Sequence, residues 1–127
     1  MKRDFCYDLI ETPRGGFAVV FNEQGIYEII FPEEAVELPW VRKELPWPQL
    51  KADLNRYLDG EEVDWSSYPL DHSGYAPFTA RLLQEMGKIP YGTVCTYREM
   101  AEKAGSPRAW RAAGQACGAN RHPVIVP

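Results

Sequence analysis

Apolar residues in the first third of the chain come in short runs separated by strong breakers. Phe5-Cys6-Tyr7-Asp8-Leu9-Ile10, Phe17-Ala18-Val19-Val20-Phe21 and Ile26-Tyr27-Glu28-Ile29-Ile30-Phe31 are rich in β-branched and aromatic residues, a composition that suits a pleated, half-buried surface. The intervening Thr12-Pro13-Arg14-Gly15-Gly16 and Asn22-Glu23-Gln24-Gly25 are built from turn formers. Three consecutive antiparallel strands are therefore predicted, closed by Pro32. From Glu33 to Pro48, the prolines Pro39, Pro46 and Pro48 keep any regular element short. The period then lengthens. Leu50, Leu54, Tyr57 and Leu58 share one face of a helix over Gln49–Leu58, which Asp59-Gly60 should end. Residues 61–76 are irregular and acidic, with Pro69 and Gly74, and are expected to be the linker and last piece of a first domain.

From Pro77 onward the pattern is helical. Phe78, Leu82, Leu83 and Met86 form an apolar stripe that stops at Gly87, and a connector containing Pro90-Tyr91-Gly92 runs to Cys95. Thr96-Tyr97-Arg98-Glu99 has capping-box spacing, a hydroxyl at the N-cap and a glutamate three residues on. It should start a helix ending at Gly105. Ser106-Pro107 offers a hydroxyl cap with proline at the first helical position, so a second helix is expected at once, from Arg108 to Ala119. Two short helices joined at Ala104-Gly105-Ser106 fit a helix-turn-helix, a pairing also found in domains that bind no DNA. The second helix is almost entirely small: Gly114 and Gly118 each cost about 1 kcal/mol relative to alanine. Either another helix packs tightly there, or the surface must approach a nucleic-acid groove, with Arg111 the long polar group at its centre. Pro123-Val124-Ile125-Val126-Pro127 has the pattern of a short buried strand.

Charge refines this division. The net charge is −4, but residues 1–73 carry 7 Lys/Arg against 15 Asp/Glu, and residues 74–127 carry 7 against 3. An acidic half at −8 and a basic half at +4 suit a chain whose second part meets phosphates. No apolar run is long enough for a membrane span, and the start lacks a signal-peptide core, so a cytoplasmic protein is expected. The three cysteines Cys6, Cys95 and Cys117 form no metal-ligand pair and no disulfide framework. Cys117, set among Ala and Gly with no neighbouring acid or histidine in sequence, is read as a small core residue and not as a nucleophile.

The second half resembles the C-terminal domain of the O6-alkylguanine-DNA alkyltransferases. The resemblance starts at Phe78 and continues through Ile89-Pro90-Tyr91-Gly92-Thr93-Val94-Cys95-Thr96-Tyr97, Met100-Ala101 and Gly105-Ser106-Pro107. It then runs through Arg111-Ala112-Ala113-Gly114, Ala116 and Asn120 to Ile125-Val126-Pro127. It implies an α/β protein: a small N-terminal α/β domain with antiparallel strands (1–73), then an all-helical, winged-helix-like helix-turn-helix domain that binds DNA (74–127). It also implies stoichiometric transfer of an alkyl group from O6-alkylguanine in double-stranded DNA to a cysteine, expected at the position after Pro127. Tyr97 matches the tyrosine that helps rotate the nucleotide out, Arg111 the arginine that fills the gap, and Asn120 the asparagine beside the active cysteine. Thr96, Tyr97, Arg108, Arg111, Ala112, Gly114 and Gln115 would face DNA from the minor groove. A monomer without metal or cofactor is expected.

Three departures accompany the match. Arg121 stands where the family often has proline, the N-terminal similarity is only general, and no zinc-ligand set surrounds Cys6. Two other readings stay open. An alkyltransferase-like protein with tryptophan in place of the cysteine would bind alkylated DNA without transfer. A helix-turn-helix regulator would need base-reading side chains suited to the major groove, which the Ala/Gly helix does not supply.

Overall fold

The structure, a computed structural model, describes residues 5–34, 37–89, 95–106, 108–123 and 125, with the side chains of 110, 114 and 116 left aside. The chain divides into two compact units, Met1–Asp71 and His72–Pro127.

The first unit is built on a sheet of order β3-β2-β1-β4. β1 (Cys6–Thr12), β2 (Gly15–Asn22) and β3 (Gly25–Ile30) are the expected antiparallel meander, with Cys6 opposite Phe21 and Ala18 opposite Ile30. β2 is buried on both faces, which is why its apolar residues run on without alternating: Phe17, Ala18, Val19 and Val20 are all inaccessible. On one face Ala18, Val20 and Ile30 pack with Phe5, Tyr7, Leu9, Tyr27 and Trp40. α1 (Leu50–Leu58) buries Leu50 and Leu54. It ends at Gly60, where φ is +88°.

Two features add to the sequence expectation. Val41–Arg42 forms a fourth strand, β4, parallel to β1. Neither residue is buried, so no apolar pattern marks it. Arg42 is instead tied to Asp8, whose Oδ1 accepts from Arg42 Nε at 3.1 Å and whose Oδ2 accepts from the Leu45 N–H at 3.2 Å. The expected linker is also more than a linker. Ile26 N–H donates to Pro69 O (2.8 Å) and Asp71 N–H donates to Ile26 O (2.7 Å), a parallel bridge onto β3. The buried Asp71 carboxylate accepts from Asn22 Nδ2 at 2.8 Å. Gly25 permits this approach, since a Cβ there would lie 2.4 Å from Pro69 O and its φ is +130°.

All regular elements among the described residues of the second unit are helices: α2 (Pro77–Met86), α3 (Tyr97–Lys103) and α4 (Trp110–Gly118). Their core is Leu82, Met100, Ala101, Ala104 and Ala113, flanked by Phe78, Met86, Ile89, Cys95 and Cys117. α3 and α4 make the helix-turn-helix. The expected strand over Pro123–Pro127 is not present at its described residues. Pro123 and Ile125 lie in turns, with Ile125 buried; residues 124, 126 and 127 are outside the described set, as are 90–94 of the connector.

Candidate nucleic-acid interface

The candidate interface begins at the cap of α3. Thr96 Oγ1 accepts from the Glu99 N–H (3.1 Å) while Glu99 Oε1 accepts from the Thr96 N–H (3.2 Å), completing the predicted capping box. Hydrogen bonds to the carboxyl from the Thr96 backbone N–H, and then from the Thr96 hydroxyl, hold Glu99 below the usual carboxylate range. The cap sets the direction of the first turn, which leaves Tyr97 53 % exposed, one of two large hydrophobic residues so exposed among those described.

α3 ends sharply. Gly105 N–H donates to Glu102 O (3.0 Å) and Ser106 N–H to Ala101 O (2.9 Å), a Schellman closure that requires a left-handed residue. Gly105 supplies it with φ +83°; nothing lies within 4 Å of a Cβ built there, so conformation and not space selects glycine. Arg81 Nε adds a bond to Ala104 O at 3.3 Å.

The chain does not restart a helix at Ser106. Ala109 N–H donates to Ser106 O (2.9 Å), closing a turn, and the bond from Ala113 N–H to Ala109 O (2.9 Å) is what opens α4. Arg108 therefore lies exposed in the turn before α4, not on it; Pro107 is outside the described residues.

α4 has two distinct faces. Ala113 is fully buried, and Cys117 one turn later faces the same core, its thiol 3.6 Å from Met86 Sδ. Burial pushes the Cys117 thiol up from its ordinary pKa, which disfavours the reactive thiolate. Arg111, Ala112, Gln115 and Gly118 are exposed. A Cβ at Gly118 would meet nothing within 4 Å, so tight helix packing does not explain that glycine. Gly114 lies within α4 between these positions.

After α4 the chain turns at Asn120, whose Oδ1 accepts from the His122 N–H at 2.8 Å. His122, 0 % exposed, is one residue the sequence pattern did not single out. Its ring lies 5.5 Å from that of His72 and 5.6 Å from that of Tyr75, centroid to centroid. Nothing periodic links these positions, and only the fold brings them together.

Comparison with known proteins bears on this arrangement. Residues 77–127 match the family described as 6-O-methylguanine DNA methyltransferase, DNA binding domain. The methylated-DNA–protein-cysteine methyltransferase (constitutive) of Bacillus subtilis is 33% identical over 132 aligned residues, covering 95% of this chain and 76% of that protein. The chain belongs to this methyltransferase family. A crystal structure of Mycobacterium tuberculosis OGT in complex with DNA superposes with a TM-score of 0.79 at 29% identity, covering 96% of this chain and 74% of that one. A Thermus thermophilus protein named DNA base-flipping protein is 34% identical over 70 residues, covering 54% of this chain and 48% of its own length. The family's DNA-binding domain thus coincides with the helical unit that carries Thr96, Tyr97, Arg108, Arg111, Ala112, Gly114, Gln115 and Asn120. No described helix is long and apolar enough to cross a membrane.

Proposed function

We propose that the chain recognises O6-alkylguanine in duplex DNA by entering the minor groove with α4 and rotating the damaged nucleotide out of the stack, without passing the alkyl group to any of its own three cysteines. The observation that carries this reading is the exposed face of α4, small at Ala112 and Gly118 and bearing the long side chain of Arg111. The minor groove is only about 6 Å wide and its base pattern is nearly degenerate. A helix that enters it must be slender, and a protein that searches for damage gains from ignoring sequence.

Each proposed residue then has a role. Extruding a base costs a few kcal/mol of stacking and pairing. The planar Arg111 guanidinium can occupy the vacated space by stacking and hydrogen bonding. Tyr97, exposed at the head of α3, lies beside the rotated nucleotide and guides it, and Asn120 shapes the turn next to the base. Thr96 and Gln115 bond the backbone, Ala112 and Gly114 allow close approach, and Arg108 holds a phosphate. The excess of cations in residues 74–127 draws the duplex in. The inward position of Cys117 and its raised pKa argue against it as acceptor, since a thiol must be ionised to attack.

A second reading, transfer to a cysteine at position 128, is favoured by the identity to the Bacillus subtilis methyltransferase over most of both chains. It uses the same recognition steps. The deciding experiment titrates the protein with two otherwise identical duplexes, one carrying O6-methylguanine and one guanine, with a neighbouring fluorescent base to report unstacking. Recognition predicts tighter binding and a fluorescence rise with the modified duplex alone. Equal affinity with no rise would sink both readings, while radiolabel from the methyl group on the protein would select the second.

A further inference from the structure

Tyr75 lies between His72 and the start of α2, and its hydroxyl reaches 46 residues along the chain. It accepts a hydrogen bond from the Arg121 N–H at 2.7 Å and lies 2.8 Å from His122 Nδ1. The one oxygen is thus shared between a backbone amide and an imidazole nitrogen, so a single side chain ties two consecutive residues. Asn120 Oδ1 holds the His122 amide in turn. Three successive residues after α4 are thus fixed through one hydroxyl and one carboxamide, in surroundings where His122 has no solvent exposure.

We propose that Tyr75 is a positioning residue for recognition of the damaged base: through Arg121 and His122 it sets the geometry of the turn that presents Asn120. The inference rests on the reading above that Asn120 lies beside the extruded nucleotide. The chain leaves α4 through Asn120–His122, and the Tyr75 hydroxyl bonds two of these three residues. The bond from Asn120 N–H back to Cys117 O is long, at 3.4 Å. Tyr75 supplies the external anchor. Ring contacts keep that anchor in place independently of its hydroxyl: the His72 ring lies 6.0 Å from Tyr75 and 5.5 Å from His122. Removing the oxygen should therefore loosen the turn while leaving the aromatic packing intact.

The test measures affinity for duplexes with O6-methylguanine and with guanine, for wild type, Tyr75→Phe, His122→Leu and His122→Asn, with thermal unfolding for each. Tyr75→Phe, which removes both bonds of the hydroxyl, should lower the preference for the modified duplex about tenfold, a coupling of about 1.4 kcal/mol. Affinity for the plain duplex, set by Arg108 and general charge, should stay within about twofold. His122→Leu should lose the preference similarly, and His122→Asn, which restores a hydrogen-bonding partner for the Tyr75 hydroxyl near the place of Nδ1, should regain most of it. Equal losses on both duplexes would show a merely structural role and overturn the assignment, as would an unchanged preference in a folded Tyr75→Phe protein. Should Tyr75→Phe not fold, the two His122 variants decide: indistinguishable preferences overturn the proposal. A wild type with no preference would overturn the proposed function and this assignment together, an outcome distinct from a wild type that discriminates and a variant that does so equally well.

Discussion

Cys117 Sγ lies 3.6 Å from Met86 Sδ, directed into the helical core while the neighbouring face of the same helix is open to solvent. One turn of α4 thus separates an inert sulfur from the surface proposed to meet DNA. Incubating the 127 residues with DNA bearing radiolabelled O6-methylguanine should leave Cys6, Cys95 and Cys117 unlabelled. Burial raises the Cys117 pKa, so its reaction with iodoacetamide should lag behind that of a free thiol and accelerate only at more alkaline pH. Stoichiometric label on Cys117 would refute the assignment of this residue to the core.

Arg111 and Arg108 are both exposed, but one is on α4 and the other in the turn before it. Arg111→Ala should weaken binding to paired O6-methylguanine by tenfold or more, because a flipping cost of a few kcal/mol loses its compensation. The loss should shrink when the base is mispaired, since extrusion is then cheaper. Arg108→Gln should weaken both modified and plain duplexes alike and reduce the log–log salt slope by about one. Lys51→Gln, in the acidic first unit, should leave the slope unchanged. Equal behaviour of the two arginine variants across paired and mispaired DNA would remove the gap-filling role.

Thr96→Ala should cost about 1 kcal/mol of stability by uncapping α3, measured by urea unfolding. The pH dependence follows from Glu99, whose pKa is lowered by its bonds to Thr96. A lowered carboxyl stabilises the fold above the unfolded-state pKa, and this contribution is lost as pH falls through the folded value. The gap between wild type and Glu99→Ala should therefore narrow in acid. A constant gap from neutral pH to below the carboxylate range would contradict the capping box.

Tyr68, in the first unit, gives the opposite sign. Its hydroxyl donates to Asp53 Oδ2 at 2.5 Å, and burial followed by that carboxylate pushes its pKa well above the ordinary tyrosine value. A raised acid stabilises the fold in full below the unfolded-state pKa of about 10 and loses that contribution as pH climbs beyond it. Tyr68→Phe should cost about 1 kcal/mol at neutral pH, and the difference from wild type should fade in alkali. A difference that persists unchanged to strongly alkaline pH would show that the cost does not come from the protonated hydroxyl's bond to Asp53.

The parts legible in the sequence are those whose signal is local. Strand runs and their turns gave the meander, apolar spacing gave α1 and α2, and Thr96 with Glu99 gave the start of α3. Position relative to solvent was legible only by resemblance, as at Arg111, since Ala112 and Ala113 are identical in sequence yet one is exposed and the other buried. What stayed hidden depends on distant partners. β4 has no apolar pattern because its exposed pair is held by Asp8 and β1. The start of α4 was placed too early because the Ser106-Pro107 signal says nothing of the turn that follows Gly105. Tyr75 and His122, 47 residues apart, share no motif.

The bridge between Ile26 and Leu70 has a bearing on solubility. β3 is an outer strand of the sheet, and an uncovered outer strand of Ile26, Ile29 and Ile30 would template pairing between molecules. Residues 69–71 occupy that border at Ile26, bonding to its N–H and C=O. The occupying segment includes Pro69, which has no N–H to offer a further strand, and it follows the acidic stretch Glu61, Glu62 and Asp64, whose charge repels a second copy. A chain cut at Gly60 would keep the sheet but lose this border, and its first fault would be self-association through β3 rather than loss of fold.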